Sequence, residues 1–168
     1  SGRRARGVTT QRPADHLRAL APVVAATGAS SAAGEPDADA VAAASGVPVG
    51  RRLRHGDVLR VGALDFEVVA LRGHTPGSVA LAYREPDDVA EPEAVPGRVH
   101  LFTGDSLFPG GVGNTDRDPA RFASLLSDVV GRVFDRFDDA TWVYPGHGAA
   151  PPLGAERPHL AAWRERGW

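Results

Sequence analysis

At 168 residues the chain is one domain, or a large piece of one, long enough to bury about 70% of its unfolded surface. A net charge of −2 and the lack of an apolar run of bilayer length exclude nucleic acid and membrane as expected partners. Cysteine is absent, so disulfides, thiolate nucleophiles and Cys-ligated zinc are excluded, and any metal must use His and carboxylate ligands.

The cytoplasm is the simplest compartment for such a chain. Ser1 to Gly7 is charged and no apolar core follows it, so no signal peptide is expected. Methionine is also absent, initiator included, which implies a chain that is processed, truncated or incompletely represented.

Val8-Thr9-Thr10 reads as a short strand. The spacing of Leu17, Leu20, Val23 and Val24 predicts a helix over 14–26, with a kink or break near Leu20 or Ala21 because Pro22 lies inside it. Residues 35–46 are rich in Ala and Asp, and helix and loop stay equally open there. Val58 to Val61 and Leu64 to Leu71 flank Gly62-Ala63 and predict a hairpin, with Leu64, Phe66, Val68 and Ala70 on one face. Thr75-Pro76-Gly77-Ser78 suits a type II turn with Gly77 supplying a positive φ. Val79 to Tyr83 is the next strand.

Residues 85–98 hold five acidic residues and three prolines, which reads as a solvated, flexible insertion between two strands of a single domain spanning 1–168. Val99 to Thr103 is a strand. Asp118-Pro119 supplies an N-cap and a first helical proline, followed by an apolar stripe from Phe122 to Phe137. Thr141 to Tyr144 is the last strand, and 158–166 forms a short terminal helix. Strands alternating with helices place the chain in the α/β class.

Three of these strands run into Gly-rich turns that each carry one His or Asp. They deliver His74 in Gly73-His74-Thr75-Pro76-Gly77-Ser78, Asp105 in Gly104-Asp105-Ser106, and His147 in Pro145-Gly146-His147-Gly148. That is how a metal site is assembled at one edge of a sheet. Asp15 and His16 stand where the first strand meets the first helix. Asp15 reads equally well as a helix-start acid and His16 as a surface residue. His55, His100 and His159 show no partner signal and read as structural or surface residues. Gly110 to Thr115 lacks the Lys-Ser/Thr ending of a phosphate loop. Ser78 and Ser106 sit in no nucleophile elbow and read as turn residues that bond the backbone.

Four blocks, Thr10 to His16, Gly73 to Ser78, Phe102 to Phe108 and Tyr144 to Gly148, resemble the metallo-β-lactamase-fold hydrolases, on their glyoxalase II-like branch. The resemblance runs over nearly the whole chain from Gly7 onward. It implies an αββα sandwich, here apparently lacking much of its N-terminal half, so that a fragment, a completing second chain (a homo-oligomer, for example) or an incomplete record are the three explanations. It also implies that Asp15, His16, His74, Asp105 and His147 are metal ligands. The family's first block reads Thr-His-x-His-x-Asp-His, whereas Gln11 and Pro13 stand here at the two leading His positions.

One metal half-site then keeps only His74 and a share of Asp105. The other keeps Asp15, His16, Asp105 and His147, enough for one zinc ion, with iron or manganese as alternatives. Asp105 and His74 become the catalytic candidates, with His74 as a general base or hydrogen-bond donor. Asn114 and Thr115 are the substrate-contact candidates. The expected function is metal-dependent hydrolysis of a thioester or related acyl compound, a small-molecule substrate, by an activated water. The competing expectation is a degenerate, non-enzymatic member that serves as a binding or interaction module. An iron oxygenase is a third reading, weakened because that chemistry relies on the missing His pair.

Overall fold

The computed structural model describes residues 6–10, 17–88 and 92–167. In chain order they form β1 (Arg6–Thr9), α1 (Leu20–Thr27), β2 (Ser30–Gly34), α2 (Ala38–Ser45), β3 (Arg51–Leu53), β4 (Val58–Val61), β5 (Leu64–Ala70), β6 (Val79–Arg84) and β7 (Val99–Gly104). The short pair β8 (Leu107–Phe108) and β9 (Gly111–Val112) follows, then α3 (Pro119–Val129), β10 (Trp142–Pro145) and α4 (Leu160–Arg166). Strands β1, β2 and β3 make a parallel sheet. The second sheet has the order β10-β7-β6-β5-β4, an antiparallel meander with β10 added parallel to β7.

Alternation along the strands sorts side chains into three cores. In β6, Ala80 and Ala82 face one way and Val79 and Leu81 the other; in β2, Ala32 and Ala33 likewise part. Ala32, Leu53, Leu59, Val68, Val79 and Leu81 fill the space between the two sheets. Leu17, Leu20, Ala33, Val41 and Val47 join the first sheet to α1 and α2. Val69, Leu101, Val143, Leu125, Val129, Phe134 and Trp163 join the second sheet to α3 and α4. Each fully buried Leu, Val or Phe contributes roughly 1.5–3 kcal/mol, so every layer is glued on both faces it presents inward. The result is the four-layer αββα sandwich.

Local chemistry explains the element boundaries. Asp118 caps α3, accepting from the amides of Ala120 (2.8 Å) and Arg121 (3.0 Å) with Pro119 at the first helical position. Beyond Val129 the helix widens into a π turn over Val130–Phe134, and Val133, Phe134 and Phe137 stay in the core. The β4–β5 hairpin pairs Val61 with Leu64 around Gly62-Ala63, as expected. Residues 35–46 resolve into a 3-10 turn, Glu35–Asp37, and α2.

The break expected near Leu20 or Ala21 is present, at Arg18-Ala19, and α1 starts afresh at Leu20. Pro22 is therefore third in α1, where no backbone donor is needed, and the first intrahelical donor is the Val23 amide (3.0 Å to the Ala19 carbonyl). Several expectations are corrected. Gly77 does not adopt a positive φ; that conformation falls at Gly73 (φ 149°). Gly77 is needed for space instead, since an added Cβ would sit 2.6 Å from the Asp37 amide nitrogen.

Of residues 85–98, 89–91 lie outside the described residues, and the segment does not start as a solvated loop. Glu85 is buried, accepts from the Val95 amide (2.6 Å) and meets His100 Nε2 (2.5 Å). His100 therefore does have partners, the second being the Tyr144 hydroxyl (2.9 Å). Ser106 does not bond the backbone through its hydroxyl; its Oγ is buried and has no hydrogen-bond partner among the described residues. Among these residues no helix is long and apolar enough to cross a membrane.

One ion pair ties the second sheet to α3. Asp128, buried on the helix, accepts from the Arg72 amide (2.9 Å), Nε (2.8 Å) and Nη2 (2.8 Å). Burial pushes its carboxyl up, but the Arg72 side chain, the Arg72 amide and nearby Arg132 outweigh burial, and its pKa lies below the ordinary aspartate value. A depressed carboxyl contributes stability that is present above the unfolded pKa, about 4, and is lost as pH falls through the folded value. Asp128→Asn is expected to lose roughly 1.5–3 kcal/mol at pH 7 by urea unfolding, with the gap from the parent protein closing below about pH 4. A gap that stays constant with pH would refute the charged pairing.

Candidate metal centre

Every described candidate ligand lies just past the end of a strand of the second sheet. His74 follows β5, Asp105 follows β7 and His147 follows β10. The Gly146 amide bonds the Gly104 carbonyl (2.9 Å), which holds the His147 turn against the Asp105 turn. Asp105 then has one imidazole at each carboxylate oxygen: His74 Nε2 lies 4.0 Å from Oδ2, and His147 Nε2 lies 3.9 Å from Oδ1. Asp105 and His74 are nearly buried, whereas the His147 ring is 66% exposed.

The protonation of His74 follows from its partner. Its Nδ1 lies 2.7 Å from the Asn114 backbone carbonyl, which can only accept, so Nδ1 carries the hydrogen. In the neutral ring Nε2 is then a bare lone pair. That Nε2 is buried and has no hydrogen-bond partner among the described residues. A lone pair facing a carboxylate at 4.0 Å is too distant for a hydrogen bond and is electrostatically unfavourable unless a cation lies between them. Two ligands that each sit about 2.0–2.2 Å from one ion are separated by roughly 3.3–4.3 Å, so the spacing suits a shared cation. An imidazole whose far nitrogen donates to a backbone carbonyl is also the usual support for a metal-binding His. The residues present thus fit a metal.

The turn that carries His74 is braced on all sides. Arg121 of α3 donates from Nε to the Gly73 carbonyl (2.9 Å) and from Nη2 to the His74 carbonyl (2.6 Å). Its Nη1 reaches Asp116 (2.6 Å), and this contact holds the Asp116 carboxyl below its usual range. Asp116 and Arg117 both adopt left-handed backbone (φ 56° and 57°), an uncommon state for non-glycine residues that concentrates at functional sites. On the opposite side, buried Thr75 donates its hydroxyl to Asp37.

Gln11, Pro13, Asp15 and His16 lie outside the described residues. Thr10, just before that block, packs its side chain against Gly104, and its carbonyl accepts from the Val79 amide (3.0 Å). Among the described residues no group of three or more His and carboxylates is close enough to hold an ion unaided. Asn114 borders a cleft of about 420 Å³ together with His74, Thr75, Asp116 and Arg121. Its side chain is engaged with Asp116, and its carbonyl serves His74. Thr115 is buried and borders the neighbouring cleft formed by the 109–115 loop. Sequence reasoning missed Asp37 and Arg121, because neither contact is local in the chain.

No family model matches the chain. It is 30% identical over 104 residues to the hydroxyacylglutathione hydrolase GloC of Haemophilus influenzae, covering 62% of this chain and 43% of that protein. It is 35% identical over 155 residues to a hydroxyacylglutathione hydrolase of Anaeromyxobacter dehalogenans, covering 89% of this chain and 49% of that protein. The chain thus spans less than half the length of these two relatives. Among solved structures, ETHE1 from Myxococcus xanthus superposes with a TM-score of 0.72 at 28% identity, over 96% of this chain and 63% of that one. TTHA1623, solved in a di-iron-bound form, superposes with a TM-score of 0.57 at 30% identity, over 89% of this chain and 73% of that one. Strand order, layer order, the Asp105 turn between two imidazoles and these likenesses agree: the chain belongs to the metallo-β-lactamase-fold superfamily, among its glyoxalase II-like members.

Proposed function

We propose that the protein is a metal-dependent hydrolase of a thioester or related acyl compound, acting in the cytoplasm with a mononuclear site. The observation that carries this reading is the spacing at Asp105: His147 Nε2 lies 3.9 Å from Oδ1, a separation that suits two ligands of one ion, while His74, its Nδ1 held by the Asn114 carbonyl, presents a buried Nε2 on the Oδ2 side. Asp15, His16, Asp105 and His147 would hold one ion, zinc first and iron or manganese as alternatives. When bound, the ion supplies Lewis acidity and a water of lowered pKa.

The chain's own groups do the rest. Asp105 offers one oxygen towards each imidazole and so places a carboxylate between the two rings. His74 Nε2 can take a proton from an attacking water, because the Asn114 carbonyl keeps the ring's own hydrogen on Nδ1. The 420 Å³ cleft beside it is of a size to admit a small acyl compound. The relatives named for hydroxyacylglutathione hydrolysis make such thioesters the first compounds to assay.

Purified protein is expected to carry about one equivalent of zinc, iron or manganese by elemental analysis, and Asp105→Ala to lose it together with thioester hydrolysis. His74→Ala is expected to keep that metal and to lose about 10²–10⁴-fold in turnover, the usual worth of a positioned base. Unchanged turnover would remove His74 from the chemistry. Gln11→His combined with Pro13→His is expected to raise bound metal from one equivalent to two, since His74 and the second oxygen of Asp105 already stand on that side. A stoichiometry that stays at one would show that the first half-site is lost for another reason.

Gln11 and Pro13 favour a second reading, a member that keeps the scaffold as a binding module without chemistry. It is distinguished by a folded protein that stays metal-free after incubation with zinc and dialysis.

A further inference from the structure

Asp37 is the buried charge for which the hydrolase reading has no use. It is 1% exposed, yet it forms no ion pair among the described residues, and one of its oxygens, Oδ1, has no hydrogen-bond partner there. It stands immediately before α2 and gives that helix no side-chain cap. An incompletely satisfied buried carboxylate is costly, so its contribution must be sought in what the other oxygen does.

That oxygen ends a chain of hydrogen bonds whose direction is dictated by chemistry. The Thr75 amide can only donate, and it reaches Ser78 Oγ at 3.0 Å. Ser78 Oγ lies 2.7 Å from Thr75 Oγ1, and Thr75 Oγ1 meets Asp37 Oδ2. A carboxylate only accepts, so the Thr75 hydroxyl hydrogen points to Asp37, and Ser78 donates to Thr75. The hydrogens of both hydroxyls are thereby assigned. Asp37 also lies in direct contact with Gly77 of the same turn, where no side chain would fit. Thr75 is the residue next to His74, and the Arg121 bonds to the Gly73 and His74 carbonyls grip the turn from the other side.

We propose that Asp37 is a positioning residue for His74: through Thr75 Oγ1 its buried carboxylate anchors the 73–78 turn so that His74 Nε2 faces Asp105. The proposal rests on the reading of His74 as a metal-site residue. It predicts that the anchor is needed for the orientation of the ring, before any metal binds.

The test uses the full chain as Asp37→Ala, Thr75→Val and Thr75→Ser, with His74→Ala to assign the ring signal. In metal-free protein near pH 8, imidazole ¹⁵N correlation spectra report which nitrogen of His74 carries the hydrogen; zinc binding is then followed by calorimetry. The parent protein and Thr75→Ser, which keeps the hydroxyl, are expected to show one tautomer with the hydrogen on Nδ1. Asp37→Ala and Thr75→Val are expected to show the averaged shifts of a free ring while binding zinc as the parent protein does, since His74 is not counted among the ligands of the single ion. Unchanged ring shifts in folded Asp37→Ala and Thr75→Val would overturn the proposal. If Asp37→Ala does not fold, Thr75→Val alone decides, because it removes one hydroxyl and little volume. Should the parent protein bind no zinc, the metal reading fails while the ring spectra still decide whether Asp37 positions His74.

Discussion

The turn at residues 72–78 is the constraint on which the rest of the site depends, and helix α3 is what holds it. Asp128 takes the Arg72 amide and guanidinium, and Arg121, two turns earlier on the same helix, takes the Gly73 and His74 carbonyls. The helix itself is held by the largest apolar core, through Leu125, Leu126, Val129 and Phe134. Packing on the outer face of the sheet is thus converted into an orientation of one imidazole. Charge-assisted bonds to a charged group are worth about 1.5–3 kcal/mol each, enough to hold a short turn that has little apolar surface of its own.

Asp105 organises what that turn presents. Its two oxygens face two different imidazoles, His74 and His147, and neither distance is that of a hydrogen bond. The side towards His74 carries one imidazole among the described residues; in the sequence, Gln11 and Pro13 stand at the two leading His positions of the family's first block. Around His74 the carbonyl support and the double clamp are both in place.

The layers explain why the site sits where it does. Parallel β1 to β3 and the meander of β4 to β7 stack face to face, and the turns after β5, β7 and β10 crowd together beyond the strand ends. The bond between the Thr10 carbonyl and the Val79 amide ties the end of β1 to the start of β6, directly after the His74 turn. A sheet edge of this kind brings together backbone groups and side chains from distant parts of the chain.

Much of this was legible in the sequence. Strand periodicity, the Asp118-Pro119 start of α3, the Gly62-Ala63 hairpin and the Gly-rich turns bearing His74, Asp105 and His147 are local patterns, governed by backbone geometry and by the two-residue and 3.6-residue repeats. The αββα class and the family resemblance follow from those blocks. What only the tertiary structure decided is non-local. The Asp37–Thr75, Arg72–Asp128 and Arg121–Gly73 contacts join residues 38, 56 and 48 positions apart. Pro22 starting a helix, and Gly77 chosen for space, likewise depend on neighbours that no sequence repeat announces. A turn's composition says that it bends. Which way its histidine points is set by the groups that close around it, and these come from other layers of the fold.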